Sequence, residues 1–166
     1  MTPKFKIRKA NRNDIALIRE LCYKVWPQTY ATILSQERID YMLELIYSHS
    51  SLEKQMENGS QFIFVYEDEE PVGFAAYFEK GPSVYKLDKI YILPSRQGKG
   101  TGKFMIDYII NDIKGKGAQS LQLQVQRQNK ARGFYEKLGF VVLCAKDFDI
   151  GNGFVMDDYI MEKKLE

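Results

Sequence analysis

The sequence holds a single histidine, His49, and two cysteines, Cys22 and Cys144. So few ligands cannot build a zinc site of the histidine–cysteine kind unless carboxylates join them, and a metal-independent protein is expected. A serine–histidine–aspartate triad would have to use His49, which stands among serines as a loop residue does. Two cysteines cannot form a disulfide framework. Cys22, on a helix face, and Cys144, in a strand, read as small buried hydrophobes. Charge of one sign is not in excess either: 24 Lys plus Arg stand against 22 Asp plus Glu, a net charge of +2, which argues against a nucleic-acid binder. No apolar run approaches the length of a membrane span. The stretch from Met1 to Lys9 is basic with no apolar segment behind it, so no signal peptide is expected, and the Asn58-Gly59-Ser60 sequon is expected to carry no glycan. There is no Pro/Ser-rich linker, repeat or low-complexity tract. The chain therefore reads as one cytoplasmic, soluble domain over residues 1–166.

What is present is an ordinary globular mixture, 45% hydrophobic and 28% charged, in a chain long enough to bury roughly 70% of the surface it would expose unfolded. Phe5 to Arg8 alternates as a half-buried strand does. Asn11 or Asn13 is placed to cap a helix with Ile15, Ile18, Leu21 and Cys22 on one face. Helical spacing recurs over Ser35–Tyr47 and, briefly, Ser51–Glu57. The period then changes to that of a hairpin, Gln61–Tyr66 and Val72–Phe78, around the turn Glu67-Asp68-Glu69-Glu70-Pro71. Four carboxylates together suggest chemistry, but a solvated turn that blunts a sheet edge is the expectation. A strand over Val84–Leu93 is stopped by Pro94. The stripe Ile106, Ile109, Ile110 and Ile113 marks a helix over Lys103–Lys114. Leu121 to Val125 alternates with glutamines as a strand. Ala131 to Leu138 is a short helix ended by Gly139, and strands follow near Val141–Phe148 and Phe154–Lys164. The order predicts a mixed α/β sheet with helices on its faces.

The informative segment runs from Ile90 to Lys103. A strand ends, a loop with Gly98, Gly100 and Gly102 follows, and a helix begins. Glycine lets backbone approach a ligand closely, and successive N–H groups converge where the helix N-terminus adds its positive end. Arg96, Lys99 and Lys103 add positive charge, so the loop suits a phosphate or pyrophosphate. It is not a Walker loop: Gly102-Lys103 has Gln97 and Phe104 where that loop needs Gly and Ser/Thr. It is not a dinucleotide fingerprint either, since Lys103 stands where the third glycine belongs. The remaining pattern is Gln97-x-x-Gly100-x-Gly102.

That pattern resembles the pyrophosphate signature of the GNAT superfamily of acetyl-CoA-dependent N-acetyltransferases. A second family feature lies downstream, Ala131 followed by Phe134-Tyr135-Glu136-Lys137-Leu138-Gly139-Phe140. Trp26-Pro27-x-x-Tyr30 and the segment Gly151–Asp158 are similar to a bacterial branch related to polyamine acetyltransferases. The resemblance implies a mostly antiparallel sheet of about six to seven strands with helices on both faces, and acetyl-CoA as cofactor. It also implies a splayed strand whose Ile92 amide polarises the acetyl carbonyl. Cofactor contacts are then expected at Ile92, Leu93, Gln97, Gly98, Lys99, Gly100, Thr101, Gly102, Lys103, Gln128, Ala131 and Tyr135. One departure stands out: glutamines, Gln126 and Gln128, occupy positions where the family often carries asparagines.

Amine attack on a thioester requires a neutral amine. An alkyl amine with a pKa of ~10.4 must lose a proton first, a donor must face the developing oxyanion, and an acid must meet the leaving sulfur. The resemblance assigns that acid to Tyr135. Asp88 is the candidate base, with a salt bridge to Lys86 or Lys89 as the competing structural role. Asp157 and Asp158 are alternative anchors for a cationic substrate. Trp26, Tyr30, Tyr41 and Tyr47 lie where the family builds its acceptor pocket, although helix-spaced aromatics also suit a core. The expected partners are acetyl-CoA and a small amine acceptor such as a polyamine, with no nucleic acid and no membrane. The C-terminal strands offer a pairing surface for a homodimer. A peptide N-acetyltransferase and a non-catalytic acyl-CoA-binding module stay open as alternatives.

Overall fold

A computed structural model describes residues 4–166. Met1, Thr2 and Pro3, which begin the basic N-terminal stretch, lie outside the described residues. The chain runs β1 (Phe5–Lys9), α1 (Ile15–Tyr30), α2 (Gln36–Tyr47), α3 (His49–Glu57), β2 (Gln61–Glu67), β3 (Glu70–Gly81), β4 (Val84–Ile92), α4 (Thr101–Lys114), β5 (Ser120–Gln126), α5 (Ala131–Lys137), β6 (Val141–Gly151) and β7 (Phe154–Lys164). The strands form one seven-stranded sheet in the order β1-β2-β3-β4-β5-β7-β6. Every neighbouring pair is antiparallel except β4 and β5. No helix among the described residues is long and apolar enough to cross a membrane.

Two apolar layers hold the sheet. Met105, Ile106, Ile109 and Ile113 of α4 pack with Ile63 and Val65 of β2 on one face. Ile18 and Leu21 of α1, Ile39 of α2 and Leu52 of α3 pack with Phe62 and Phe64 on the other. Burial on both faces explains why β2 reads as a continuous apolar run rather than an alternating one. Of the two asparagines placed to cap α1, Asn11 acts: its Oδ1 accepts from the Asn13 amide at 2.8 Å and starts a one-turn 3-10 helix, Arg12–Asp14, that leads into α1.

Three expectations are corrected. Cys144 is exposed, because β6 is an edge strand with little packed on it. Helix α4 begins at Thr101 rather than Lys103, so Thr101 and Gly102 belong to its first turn and are buried. The acidic turn is more than a solvated cap. Asp68 and Glu69 make the tight turn at positive φ, but Glu67 is buried and, with Glu70, grips Arg96 of the glycine loop, at 2.5 and 2.6 Å.

Two irregularities in β4 create the site. Ala76 pairs with Lys89 and Tyr77 with Leu87, so Asp88 is an extra residue without a partner on β3, a β-bulge. The bulge breaks strict alternation. Leu87 packs in the α4 layer, and so do Ile90 and Ile92 beyond the bulge, whereas Asp88 pairs with Lys89, whose ammonium lies over Tyr47 and Phe62 in the opposite layer. Asp88 therefore does not share a face with Ile90 and Ile92 as simple alternation predicts. Second, β4 pairs with β5 only from Val84–Ser120 to Leu87–Leu123. Beyond that point β4 stays with β3 as far as Ile92, and β5 stays with β7 as far as Gln126. The two strands part and leave a wedge.

Candidate active site

The wedge opens into a cavity of about 1490 Å³ that takes in the glycine loop, the ends of β4 and β5, α5 and parts of α1 and α2. Backbone alternation aims one amide into it. Leu93 donates its N–H to the Val72 carbonyl on β3 at 2.9 Å. Alternate residues of an antiparallel ladder turn their N–H and C=O to opposite sides. Ile92, opposite Gly73, therefore turns its peptide groups toward the wedge, and its carbonyl accepts from Gln97 Nε2 at 3.1 Å.

The loop beyond Ile92 is shaped for a phosphate. Gly98 and Gly100 sit at φ +80° and +86° with open space where a side chain would stand, a conformation glycine adopts without strain. Gly102 is needed for a different reason. A Cβ there would come within 2.9 Å of Phe134 Cζ and 3.4 Å of Ile92 Cδ1, so α4, α5 and β4 meet at this point. The first intrahelical bond of α4 runs from Phe104 N to Gly100 O at 3.0 Å. The amides of Thr101, Gly102 and Lys103 thus precede the ladder and face out of the helix end. Thr101 Oγ1 is buried at the same place with no partner among the described residues. These groups fit the pyrophosphate of a CoA thioester.

The loop's side-chain charge is not free as the sequence suggested. Arg96 is held by Glu67 and Glu70, Lys99 lies 3.7 Å from Glu67, and Lys103 pairs with Asp107 at 2.7 Å. Lys99, Lys103 and Leu93 do not line the cavity, whereas Ile92, Gln97, Gly98, Gly100, Thr101 and Gly102 do. Anion binding here rests on backbone N–H groups rather than on mobile ammonium groups.

Tyr135 of α5 lines the same cavity. Burial, with the neighbouring Tyr30 as a lesser cause, holds its hydroxyl protonated well beyond the ordinary tyrosine range. Ala131 and Gln128 line the cavity beside it. Gln126 lines it too, but its side chain is already engaged: its Oε1 accepts from the Gln128 amide at 2.6 Å and its Nε2 donates to Asp157 at 2.9 Å. The short amide is at Asn129, whose Oδ1 accepts from the Ala131 amide at 2.9 Å just before α5 and which also lines the cavity.

The two candidate carboxylates differ. Asp88 lines the cavity but is paired with Lys89 at 2.5 Å and Lys86 at 3.7 Å. Asp158 of β7 is nine-tenths buried, lines the same cavity and has one oxygen, Oδ1, without a partner among the described residues. Its other oxygen accepts from Gln124 Nε2 at 3.3 Å, while Gln124 Oε1 accepts from Lys86 at 2.5 Å. Asp157 does not line the cavity. Two features escape sequence reasoning: the Gln124 bridge between Lys86 and Asp158, and the 3.1 Å contact between the hydroxyls of Tyr30 and Tyr91. The only sequence signal for that pair is the Trp26-Pro27-x-x-Tyr30 segment. Tyr41 serves elsewhere, donating to the Ile150 carbonyl at 2.7 Å and anchoring the β6–β7 hairpin to α2. His49 is exposed and lies 3.7 Å from Glu53.

A family model described as the acetyltransferase (GNAT) domain matches residues 30–163. The chain belongs to the GNAT acetyltransferase family. A spermidine N(1)-acetyltransferase of Thermoplasma acidophilum is 29% identical over 167 residues, covering 97% of this chain and 98% of that protein. A crystal structure of the PaiA N-acetyltransferase of the same organism, in complex with coenzyme A, superposes with a TM-score of 0.83 at 29% identity, covering 98% of this chain and 99% of that one. A ribosomal protein bS18-alanine N-acetyltransferase of Haemophilus influenzae is 48% identical over 54 residues, 32% of this chain and 37% of that protein. This GNAT protein is thus an acetyl-CoA-dependent N-acetyltransferase. The fold and cofactor implied by the Gln97–Gly102 loop are those of its family.

Proposed function

We propose that this N-acetyltransferase moves the acetyl group of acetyl-CoA directly to a small primary amine, a polyamine being the first choice. One observation carries the reading: Ile92, the Gln97–Gly102 loop and Tyr135 all border one cavity, open where β4 and β5 part. The full-length similarity to a spermidine acetyltransferase supports the acceptor class. Acetyl-CoA supplies the acetyl group as a reactive thioester. The amides at the start of α4 hold its pyrophosphate, and the Ile92 N–H donates to the acetyl oxygen as negative charge gathers there. Tyr135, kept neutral by burial, gives a proton to the departing sulfur.

The 54-residue similarity to an enzyme acting on a ribosomal protein's alanine favours a second reading, in which a peptide α-amine is the acceptor. Isotope-labelled acetyl transfer to spermidine and to an alanine-initiated peptide separates the two. Transfer to spermidine with a kcat/KM at least tenfold above the peptide's is expected, and the reverse order would replace the small-amine reading. Calorimetry with CoA, run alongside, tests the third possibility: tight binding with no turnover on either acceptor would leave a non-catalytic acyl-CoA-binding module.

A further inference from the structure

Which group takes the proton from the incoming amine is decided by what each carboxylate already holds. Asp88 is the counter-ion of Lys89, an ammonium 6% exposed that also donates to Gln55 at 2.7 Å and lies over the rings of Tyr47 and Phe62. Protonating Asp88 would strand that ammonium in an apolar layer, which is unfavourable. Asp158 has no such duty. Gln124 contacts one of its oxygens, and the other is buried without a hydrogen-bond partner among the described residues.

We propose that Asp158 receives the acceptor as an alkylammonium ion and takes its proton, making Asp158, and not Asp88, the base of the reaction. The inference rests on the N-acetyltransferase reading above and adds to it how the acceptor is recognised. The groups facing Asp158 suit both states it must visit. From α1 comes the neutral, buried Tyr30 hydroxyl. From β4 comes the Lys86 ammonium, relayed through Gln124 of β5. Along the strand stands Asp157, already engaged by Gln126, with Arg127 beyond it on the same side of the balance as Lys86. From β6, Lys146 is opposite in register, with its ammonium over the ring of Phe148. Burial raises the proton affinity of this carboxyl, and Asp157 adds to it, while the Gln124 hydrogen bond and Lys86 oppose. A carboxylate so placed both attracts an ammonium ion and accepts its proton.

The protons balance. The acceptor nitrogen gives one proton to Asp158, and its freed electron pair forms the N–C bond to the acetyl carbon. The C–S bond breaks with its pair on sulfur, which takes the Tyr135 proton. The nitrogen then loses a second proton, which restores Tyr135, and Asp158 releases the first to water.

The test is the pH dependence of kcat/KM for wild type, Asp158→Asn and Asp88→Asn, using whichever of spermidine or the alanine-initiated peptide the wild type accepts. CoA binding is measured by calorimetry on each variant. Asp158→Asn is expected to bind CoA within about twofold of wild type yet lose about 100-fold or more in kcat/KM at pH 7. Its residual rate should climb about tenfold per pH unit toward the acceptor's own pKa, because only amine deprotonated in solution can then react. Rescue by high pH is a signature that a merely structural role would not produce. Wild-type kcat/KM in Asp158→Asn, or a steep high-pH rescue confined to Asp88→Asn, would overturn the assignment. A wild type that acetylates neither acceptor removes the enzymatic reading itself, a result distinct from either.

Discussion

The position of Asp158 that suits it to hold a proton also strains the fold. Its carboxyl binds a proton more tightly in the folded state than in the unfolded chain, because of burial first and Asp157 second. Stability therefore falls as pH rises from the unfolded value of ~3.9 to the raised folded one, and the penalty persists above both. Asp158→Asn keeps the shape and lifts the penalty. The variant should melt a few degrees above wild type at pH 8, with the difference closing below about pH 4. Equal melting temperatures at pH 8 would show that the buried carboxylate is compensated. Tyr135 was legible in the sequence because a motif fixes its place. Asp158 was legible only as an alternative beside Asp157, because a strand carboxylate reads alike whether it faces solvent or a cavity. Gln124 gave no signal at all, since its alternation with Leu123 and Val125 predicts a solvated face, whereas that face of β5 borders the cavity and carries Lys86 and Asp158.

At the scale of elements, the glycine loop is steadied from outside itself. Arg96 joins it to both ends of the β2–β3 turn through Glu67 and Glu70. The sequence shows the acidic turn and the basic loop but not that they meet, since the contact depends on β4 lying beside β3. Arg96→Met should loosen the loop and raise the Kd for CoA about tenfold, read by calorimetry. An unchanged Kd would mean that the backbone cradle stands without its tether. Gly73 poses a sharper test. A Cβ there would stand 2.5 Å from the Tyr91 carbonyl oxygen and 3.3 Å from Ile92 Cα, both backbone atoms that cannot turn aside. Gly73→Ala should cost about 1–3 kcal/mol, lowering the melting temperature by roughly 2–12 °C. It should also cut kcat more than it weakens CoA binding, because the displaced group is the Ile92 amide rather than the loop. Gly100→Ala meets no atom and carries only the strain of positive φ, about 1–2 kcal/mol.

Taken whole, the molecule is one sheet that comes apart along a single seam. Element order, helix faces and the strand–loop–helix unit were legible because hydrophobic period and glycine placement are local signals. The bulge at Asp88, the seam beyond Leu87 and the insertion of β7 between β5 and β6 were not, since each is a choice of partner made in three dimensions. That insertion leaves β6 as a free edge of eleven residues. Long exposed edges invite pairing unless charge or a bulge guards them. Here the guard is uneven: Lys146, Asp147 and Asp149 stand toward the far end, whereas Val141 is 60% exposed and Leu143 51% at the near end. An antiparallel β6–β6 pairing about a two-fold axis near Leu143 would cover the apolar half and leave the charged half in water. Sedimentation of the wild type at micromolar concentration should then give a dimer, and Leu143→Lys, which sets like charges against each other at the axis, should give a monomer that still binds CoA. A wild type that sediments as a monomer would show that the edge is tolerated unpaired.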